Sequence, residues 1–331
     1  MELKDYKGIW IFAEQTDGVL SGVAFELLSK AKELKKTSGE DVVAILLADK
    51  AGDMPKKLLN RGADKVIVVE APELKDYKTI SYAEALYQLV EKYKPSILLF
   101  GATSMGKDLA PRAMAKLRTG LTADCLDLNI DENGILVQTK PSYGGNIMCK
   151  IICPNHRPQM ATVRPRTFDP LEEVENASGE IIREAMKIEA EPDFEVIETI
   201  PDVKEGVDIQ DAEVIVSAGR GVTNKDDMKM IEELAKAVGG VLAVTRPLVD
   251  VEWYGHDIQI GASGKTVKPN LIINVGISGA IQYNVGMQKS KCIVSINKNA
   301  NADIFGISHY GIVGDYKDIV PALIEEIKKE H

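Results

Sequence analysis

Five short segments in the last third of the chain carry one kind of chemistry. They are SAGRGVTN (217–224), TRP (245–247), IGASGKTVKP (260–269), VGISGAIQ (275–282) and INKNANADIF (296–305). Each supplies glycine, hydroxyl, amide or cation, and a ring of such backbone N–H groups and small donors suits a pyrophosphate. GISGA (276–280) is the sharpest. Gly276 and Gly279 let the backbone approach a phosphate, Ser278 can donate to it, and Ala280 to Gln282 open a helix whose N-terminus faces the anion. Taken alone, GISGA reads rather as a tight strand-to-helix turn with glycines for packing. The GRG at 219–221 is equally weak alone, with Arg220 available to a surface acid. Arg246, preceded by Thr245 at a strand end, is an expensive charge to place in a cleft without a partner, which makes it a ligand candidate. GASGK (261–265) resembles part of a P-loop, but GxxxxGK[ST] is not met and no helix follows, so triphosphate hydrolysis is rejected. No Ser-His-Asp or paired-carboxylate set stands out for nucleophilic or hydrolytic chemistry.

Four of these segments follow expected strands and IGASGKTVKP lies in a long connection between them, and ligands of open α/β sheets bind at the carboxyl ends of strands. The last third reads as a strand running into a glycine turn at 212–221, a strand at 241–247, a strand and turn at 269–280 and a strand at 291–299, with helices at 224–240 and 315–329. That is a doubly wound unit of about 120 residues, the size of a mononucleotide- or dinucleotide-binding fold. The first half also alternates apolar runs with helical periodicity. Strands are expected at 8–14, 42–48, 64–70 and 95–102, and helices at 23–36, 53–62, 81–94 and 106–120. Apolar strands separated by helices imply a parallel sheet covered on both faces. From 122 to 165 the pattern changes to strand-like segments (122–131, 134–140, 144–154, 158–165) with hairpin punctuation, an expected antiparallel addition to the same domain. Residues 167–210 are acidic, carry scattered prolines and read as an extended strap. The expected domains are therefore 1–210 and 211–331, two doubly wound parallel-sheet α/β domains.

Composition narrows the class. The 331 residues carry 50 acids against 40 Lys and Arg, a net charge of -10, which argues against wrapping nucleic acid or lying on an anionic membrane. No run approaches the ~20 apolar residues of a membrane span. The N-terminus MELKDYKGIWIF lacks a cleavable leader pattern, which leaves the cytoplasm as the expected compartment. Cys149 and Cys153 of NIMCKIICP would lie about 13 Å apart on one strand face, too far to share a metal or a bridge. With Cys125 and Cys292 isolated and no ligand-like histidine spacing, no metal site is expected.

At the five segments the sequence resembles the alpha subunit of the electron-transfer flavoproteins. The resemblance is carried by PNLIINVGISGAIQYNVGMQKSKCIVSINKNANADIFGISHYGIVGD (269–315) and by SAGRGV, TRPLVD and IQIGASGKTVKP upstream. In the N-terminal half it is carried by GATSMGKDLAPRAMAKLRTGLTADC (101–125) and PQMATVRP. It implies an FAD-binding Rossmann-like C-terminal domain, a heterodimer with a beta subunit contacted by the strap, and single-electron exchange between acyl-CoA dehydrogenase and other redox partners. Position by position, it implies that Gly219, Arg220 and Gly221, with Gly276, Ser278, Gly279 and Ala280, hold the pyrophosphate region. Asn297, Lys298 and Asp315 would lie along the adenosine. Gln259, Ile260, Gly261, Ser263 and Gly264 would line the isoalloxazine, Thr245 and Arg246 its reactive edge, and Gln282 the ribityl chain.

Those roles are physically coherent. A flavin gains negative charge on reduction, and a permanently charged guanidinium at Arg246 favours the reduced form. A hydroxyl donor at Ser263 can tune the potential. Where many members carry histidine in IQHxxGM, this chain has Tyr283 in IQYNVGM. Tyr283 can donate a hydrogen bond toward the ring or merely pack, but it cannot become a cation near neutral pH. AEQ (13–15), TGLTADC (119–125), GGNIM (144–148) and RPQMATVRP (157–165) are similar to homologues from anaerobes, some of which take part in flavin-based electron bifurcation. In that branch NADH oxidation drives reduction of ferredoxin and an enoyl-CoA, and the beta subunit holds a second FAD instead of AMP. With no cysteine before Cys125, no iron–sulfur cluster is expected.

Overall fold

The computed structural model describes residues 3–142, 147–188, 196–198 and 208–330. The chain forms two compact units, changing from one to the other between residues 198 and 208.

The first unit is a seven-stranded parallel sheet. Its elements are β1 (Ile9–Phe12), a small hairpin of β2 (Gln15–Thr16) and β3 (Val19–Leu20), α1 (Gly22–Ser38), β4 (Val42–Ala48), α2 (Met54–Asn60) and β5 (Lys65–Glu70). They continue with α3 (Thr79–Tyr93), β6 (Ile97–Gly101), α4 (Ser104–Leu117), β7 (Leu121–Cys125), β8 (Asp127–Ile130), β9 (Leu136–Ser142), β10 (Ile147–Ile151), β11 (Gln159–Val163) and β12 (Glu180–Glu184). The sheet order is β12-β5-β4-β1-β6-β11-β7. Every residue of β1, β4, β6 and β11 is buried, as a sheet covered on both faces requires. One face packs on α1 and α2 through Leu27, Leu28 and Leu58, the other on α3 and α4 through Leu86, Leu89 and Leu109. Each such fully buried side chain contributes roughly 1.5–3 kcal/mol.

The segments between 122 and 165 divide between two sheets. β8, β9 and β10 form the expected antiparallel addition, a separate three-stranded sheet. The segment expected as one strand at 122–131 is instead broken into β7 and β8, and β7 and β11 join the main sheet in parallel. The break falls at Leu126, whose N–H donates to the Thr139 carbonyl of β9 at 2.8 Å, while Asp124, inside β7, takes a left-handed φ of 60° where the register with β11 shifts. The continuous apolar burial of β11 belongs to a central parallel strand, not to an added hairpin.

Much of the strap is part of the first unit. β12 pairs in parallel with β5, and Ile188 is buried in the core beside α3. Its start is held by Glu26 of α1, whose carboxylate accepts the backbone N–H groups of Arg166, Thr167 and Phe168 at 2.8, 3.0 and 3.3 Å. Residues 189–195 and 199–207 of the strap, and residues 143–146, which include the first three of GGNIM, lie outside the described residues. The second unit is under way before Asp211. The Asp208 carboxylate is held by the Lys265 ammonium at 2.6 Å, and Ile209 is buried in the second core.

The second unit contains β13 (Val214–Ala218), α5 (Met228–Ala237), β14 (Val241–Thr245), α6 (Arg246–Asp250) and β15 (Gln259–Ile260). β16 (Leu271–Val275), α7 (Ile281–Asn284), β17 (Cys292–Asn297), β18 (Tyr310–Val313) and α8 (Tyr316–Glu330) complete it. All six strands are parallel, in the order β15-β14-β13-β16-β17-β18. Counted within the unit this is 3-2-1-4-5-6, the order of doubly wound dinucleotide-binding sheets. The expected strand 241–247 stops at Thr245, because Pro247 cannot donate to a ladder and instead sits in the first turn of α6. Among the described residues no helix is long and apolar enough to cross a membrane.

Candidate functional site

The chain leaves β13 and β16 in opposite directions, so their carboxyl ends form the switch point of the second sheet. Two glycine turns meet there. Gly219 donates to the Val275 carbonyl at 2.9 Å and Gly221 to the Gly276 carbonyl at 2.8 Å. A Cβ on Gly221 would stand 2.6 Å from the Gly276 oxygen, and Gly276 itself has a φ of 64°. These glycines are required for the turns to approach each other, so the packing reading of GISGA holds for their Cα positions. The same close approach opens a pocket of about 940 Å³ at the strand ends.

Most of the residues singled out in the sequence come together around this pocket. Gly219, Arg220 and Gly221 line it from the turn after β13, and Thr245 and Arg246 from the end of β14. Gln259, Ile260, Gly261 and Ser263 line it from β15 and its loop. Gly276, Ser278, Ala280, Gln282 and Tyr283 do so from the turn after β16, and Asn297 and Lys298 from the end of β17. Gly264 and Gly279 do not face the pocket but shape its turns. A Cβ on Gly279 would stand 2.1 Å from the Ile304 nitrogen, and one on Gly264 would stand 2.4 Å from the Gln259 carbonyl. Asp315 is not brought to the pocket. It precedes α8 and its carboxylate accepts the Lys317 N–H at 3.0 Å, capping that helix. The pocket also takes in Thr223, Pro247, Ala262, Asn299, Asn301 and Asp303. All lie inside or beside the quoted segments, and the Asn-x-Asn spacing at 297–301 was the available signal. Asn299 and Asn301 donate their N–H groups to the side-chain oxygens of Asn297 and Asn299 at 2.9 and 3.0 Å.

The polar inventory suits an anionic ligand with a ring system. Arg220 and Lys298 are exposed at the rim and pair with no acid among the described residues. Arg246, the first residue of α6, is largely exposed and has only Asp250, one turn on, at 3.5 Å. The Thr245 hydroxyl is buried in the wall without a hydrogen-bond partner, a vacancy that a ligand polar atom would fill. The Gln259 side chain is fully buried. Its amide nitrogen donates to Ser263 Oγ at 3.0 Å, and its oxygen faces His256 Nδ1 at 3.0 Å. Ser263 thus accepts from Gln259 and keeps its single proton to donate elsewhere. Asn297 donates to the Ile277 carbonyl at 2.8 Å and ties the end of β17 to the GISGA turn. The loop after β15 is likewise tied to α7, where Ala262 donates to the Gln282 carbonyl at 2.7 Å. α7 is a single turn of 4 residues, so the turn amides, not a long helix dipole, face the pocket there.

Tyr283 is among the residues that line the pocket, but its hydroxyl is bonded inside the sheet. It is 5% exposed and donates to Asn274 Oδ1 at 2.6 Å, and burial pushes its ionisation well above the ordinary tyrosine value.

Comparison with known proteins agrees with this geometry. Residues 9–188 match the electron transfer flavoprotein domain and residues 208–288 the electron transfer flavoprotein FAD-binding domain, which covers most of the pocket and makes a flavin the cofactor class. The chain is 46% identical over 328 residues to the electron transfer flavoprotein subunit alpha of Thermoanaerobacterium thermosaccharolyticum, covering 99% of both chains. It is 44% identical to the LctC subunit of the lactate dehydrogenase (NAD(+),ferredoxin) of Acetobacterium woodii, covering 98% of this chain and 77% of that one. It is 39% identical to the acryloyl-CoA reductase electron transfer subunit beta of Anaerotignum propionicum, covering 99% and 97%. The chain belongs to the electron transfer flavoprotein alpha-subunit family.

Proposed function

We propose that the chain is the FAD-carrying alpha subunit of a heterodimer with a beta subunit, exchanging single electrons between an acyl-CoA dehydrogenase and other redox partners. The observation that carries this reading is the pocket at the β13–β16 switch point, with two unpaired cations and an unpartnered buried hydroxyl on its wall. When bound, FAD supplies the electron-accepting ring; the protein supplies position and field. Arg220 and Lys298 attract and hold the diphosphate and adenosine end, with Ser278 and the GISGA amides as donors. Gln259, Ile260, Gly261 and Ser263 face the ring. Arg246 holds a permanent positive charge that favours electron uptake, moderated by Asp250 and by solvent. Ser263, with its oxygen already accepting from Gln259, donates its proton toward the ring. Gln282 faces the ribityl chain. In the first unit, the strap is proposed to contact the beta subunit.

A second reading is favoured by the relatives: two with near-complete coverage of this chain are named as subunits of a lactate dehydrogenase (NAD(+),ferredoxin) and an acryloyl-CoA reductase. In that reading the chain serves a bifurcating complex that couples NADH oxidation to reduction of ferredoxin and an enoyl-CoA, and its beta subunit carries a second FAD in place of AMP. Flavin counting on the co-purified heterodimer tests both. One FAD per heterodimer supports the simple carrier and two support bifurcation; a colourless heterodimer that takes up no added FAD removes both.

A further inference from the structure

Behind the pocket wall runs a line of buried polar side chains in an otherwise apolar core. The Tyr283 hydroxyl donates to Asn274 Oδ1 at 2.6 Å, and Asn274 Nδ2 donates to Ser295 Oγ at 3.2 Å. Ser295 Oγ lies 2.7 Å from Ser308 Oγ, which in turn lies 2.8 Å from the Ile304 carbonyl. Asn274 and Ser295 have no exposed surface. They sit on neighbouring strands, paired directly across β16 and β17. Each hydroxyl has one proton, so the line closes in a single direction. Tyr283 donates to Asn274, Asn274 to Ser295, Ser295 to Ser308 and Ser308 to Ile304, and no member is left without a partner.

An asparagine inside a parallel strand of an apolar core is costly unless its amide is satisfied. Around Tyr283 the packing is apolar, with Ile260, Ile277, Met287 and Ile304 in the same cluster. Asn274 receives the tyrosine hydroxyl there, and Ser217 Oγ, buried, without a partner of its own and paired with Asn274 across β13 and β16, is the second polar group beside it. With both removed the hydroxyl has no polar partner left in the sheet, and the pocket that Tyr283 lines is the alternative.

We infer that Asn274 is a positioning residue: with Ser217 beside it, it holds the Tyr283 hydroxyl inside the sheet, so that position 283 offers the flavin no hydroxyl donor, a statement that rests on the flavin reading of the pocket. The line from Tyr283 to Ile304 also ties the short helix after the GISGA turn to the segment before β18, which fixes the ring's tilt against the pocket.

The test uses the complex with its beta subunit, reconstituted with FAD. Tyr283→Phe is expected to leave the visible flavin bands superimposable on those of the parent, with the FAD dissociation constant within about twofold. A lost hydrogen bond to the ligand would instead raise it about 2- to 10-fold. Displaced bands in Tyr283→Phe would overturn the inference. In a Ser217→Ala background, which removes the second polar group beside the hydroxyl, Asn274→Ala is expected to displace the bands and the midpoint potential, and Asn274→Ala/Tyr283→Phe to restore them, because the effect needs the released hydroxyl; a displacement that persists in the double variant also overturns it. Where Asn274→Ala does not fold, the Tyr283→Phe spectrum decides. The two failures are separable in the flavin-free complex. There the urea midpoints of the two single variants and the double are expected to be non-additive, and additive shifts would remove the Tyr283–Asn274 bond whether or not the pocket takes FAD.

Discussion

Replacing Gly279 by alanine isolates the requirement that the GISGA turn lie against the segment before β18. The backbone at Gly279 has a φ of 90°, which an alanine adopts only at a cost of about 1–2 kcal/mol. Its Cβ would also stand 2.1 Å from the Ile304 nitrogen and 2.5 Å from its Cα, both backbone atoms that cannot rotate away. One side must retreat by roughly 1.3 Å to restore van der Waals contact. Such overpacking costs about a further 1–3 kcal/mol. Gly239→Ala is the matched control in the same unit: its φ is 65°, but nothing lies within 4 Å of the added Cβ. The control should lose only the conformational cost of about 1–2 kcal/mol, and Gly279→Ala about 2–5 kcal/mol. Urea unfolding of the second unit in the complex measures the difference, and the ratio of flavin absorbance to protein absorbance measures retention of FAD. Gly279→Ala should lose flavin during purification and the control should keep it. Equal destabilisation of the two variants, with flavin retained in both, would show that the turn does not depend on that contact.

Three further outcomes follow from the same geometry. Arg220→Ala should weaken FAD binding by about tenfold, with a smaller loss at high salt; dissociation constants that match the parent at both ionic strengths would exclude a phosphate role. Arg246→Ala should lower the flavin midpoint potential by roughly 40–80 mV, the scale of one solvent-screened charge near the ring. Asp250→Asn, which removes the acid 3.5 Å from Arg246, should raise it, and shifts of one sign in both variants would contradict the pairing. Glu14 is buried at the carboxyl end of β1 with Thr103 donating to it at 2.5 Å, and burial raises its pKa above 4.5. The folded state therefore holds that proton more tightly than the unfolded state. Stability should be lost as pH rises from about 4.5 through the raised pKa, and Glu14→Gln should remove that component of the slope; parallel pH profiles of urea midpoint would refute it.

The regular elements were legible wherever burial is uniform. VVAILLA becomes β4 residue for residue, because a seven-residue apolar run bounded by polar residues fits only a strand covered on both faces. Assignment of strands to sheets was not legible for 122–165. β7 and β11 read locally like hairpin strands, and their parallel partners lie far away in the chain. β15 and β18 were missed because one has 2 residues and the other, YGIV, is mostly exposed and carries no periodic burial. The pocket was legible because glycine, hydroxyl and cation cluster after successive strands, and sheet topology gathers strand ends. The direction of the Tyr283 hydroxyl and the capping role of Asp315 were not. Both depend on neighbours, Asn274 and the first turn of α8, whose approach only packing reveals.

Among the described residues, all that line the pocket lie from Gly219 to Asp303, within one unit that has its own six-stranded sheet and core. One contiguous stretch of sequence thus specifies the socket, and substitutions outside 219–303 leave the identity of every described lining residue unchanged.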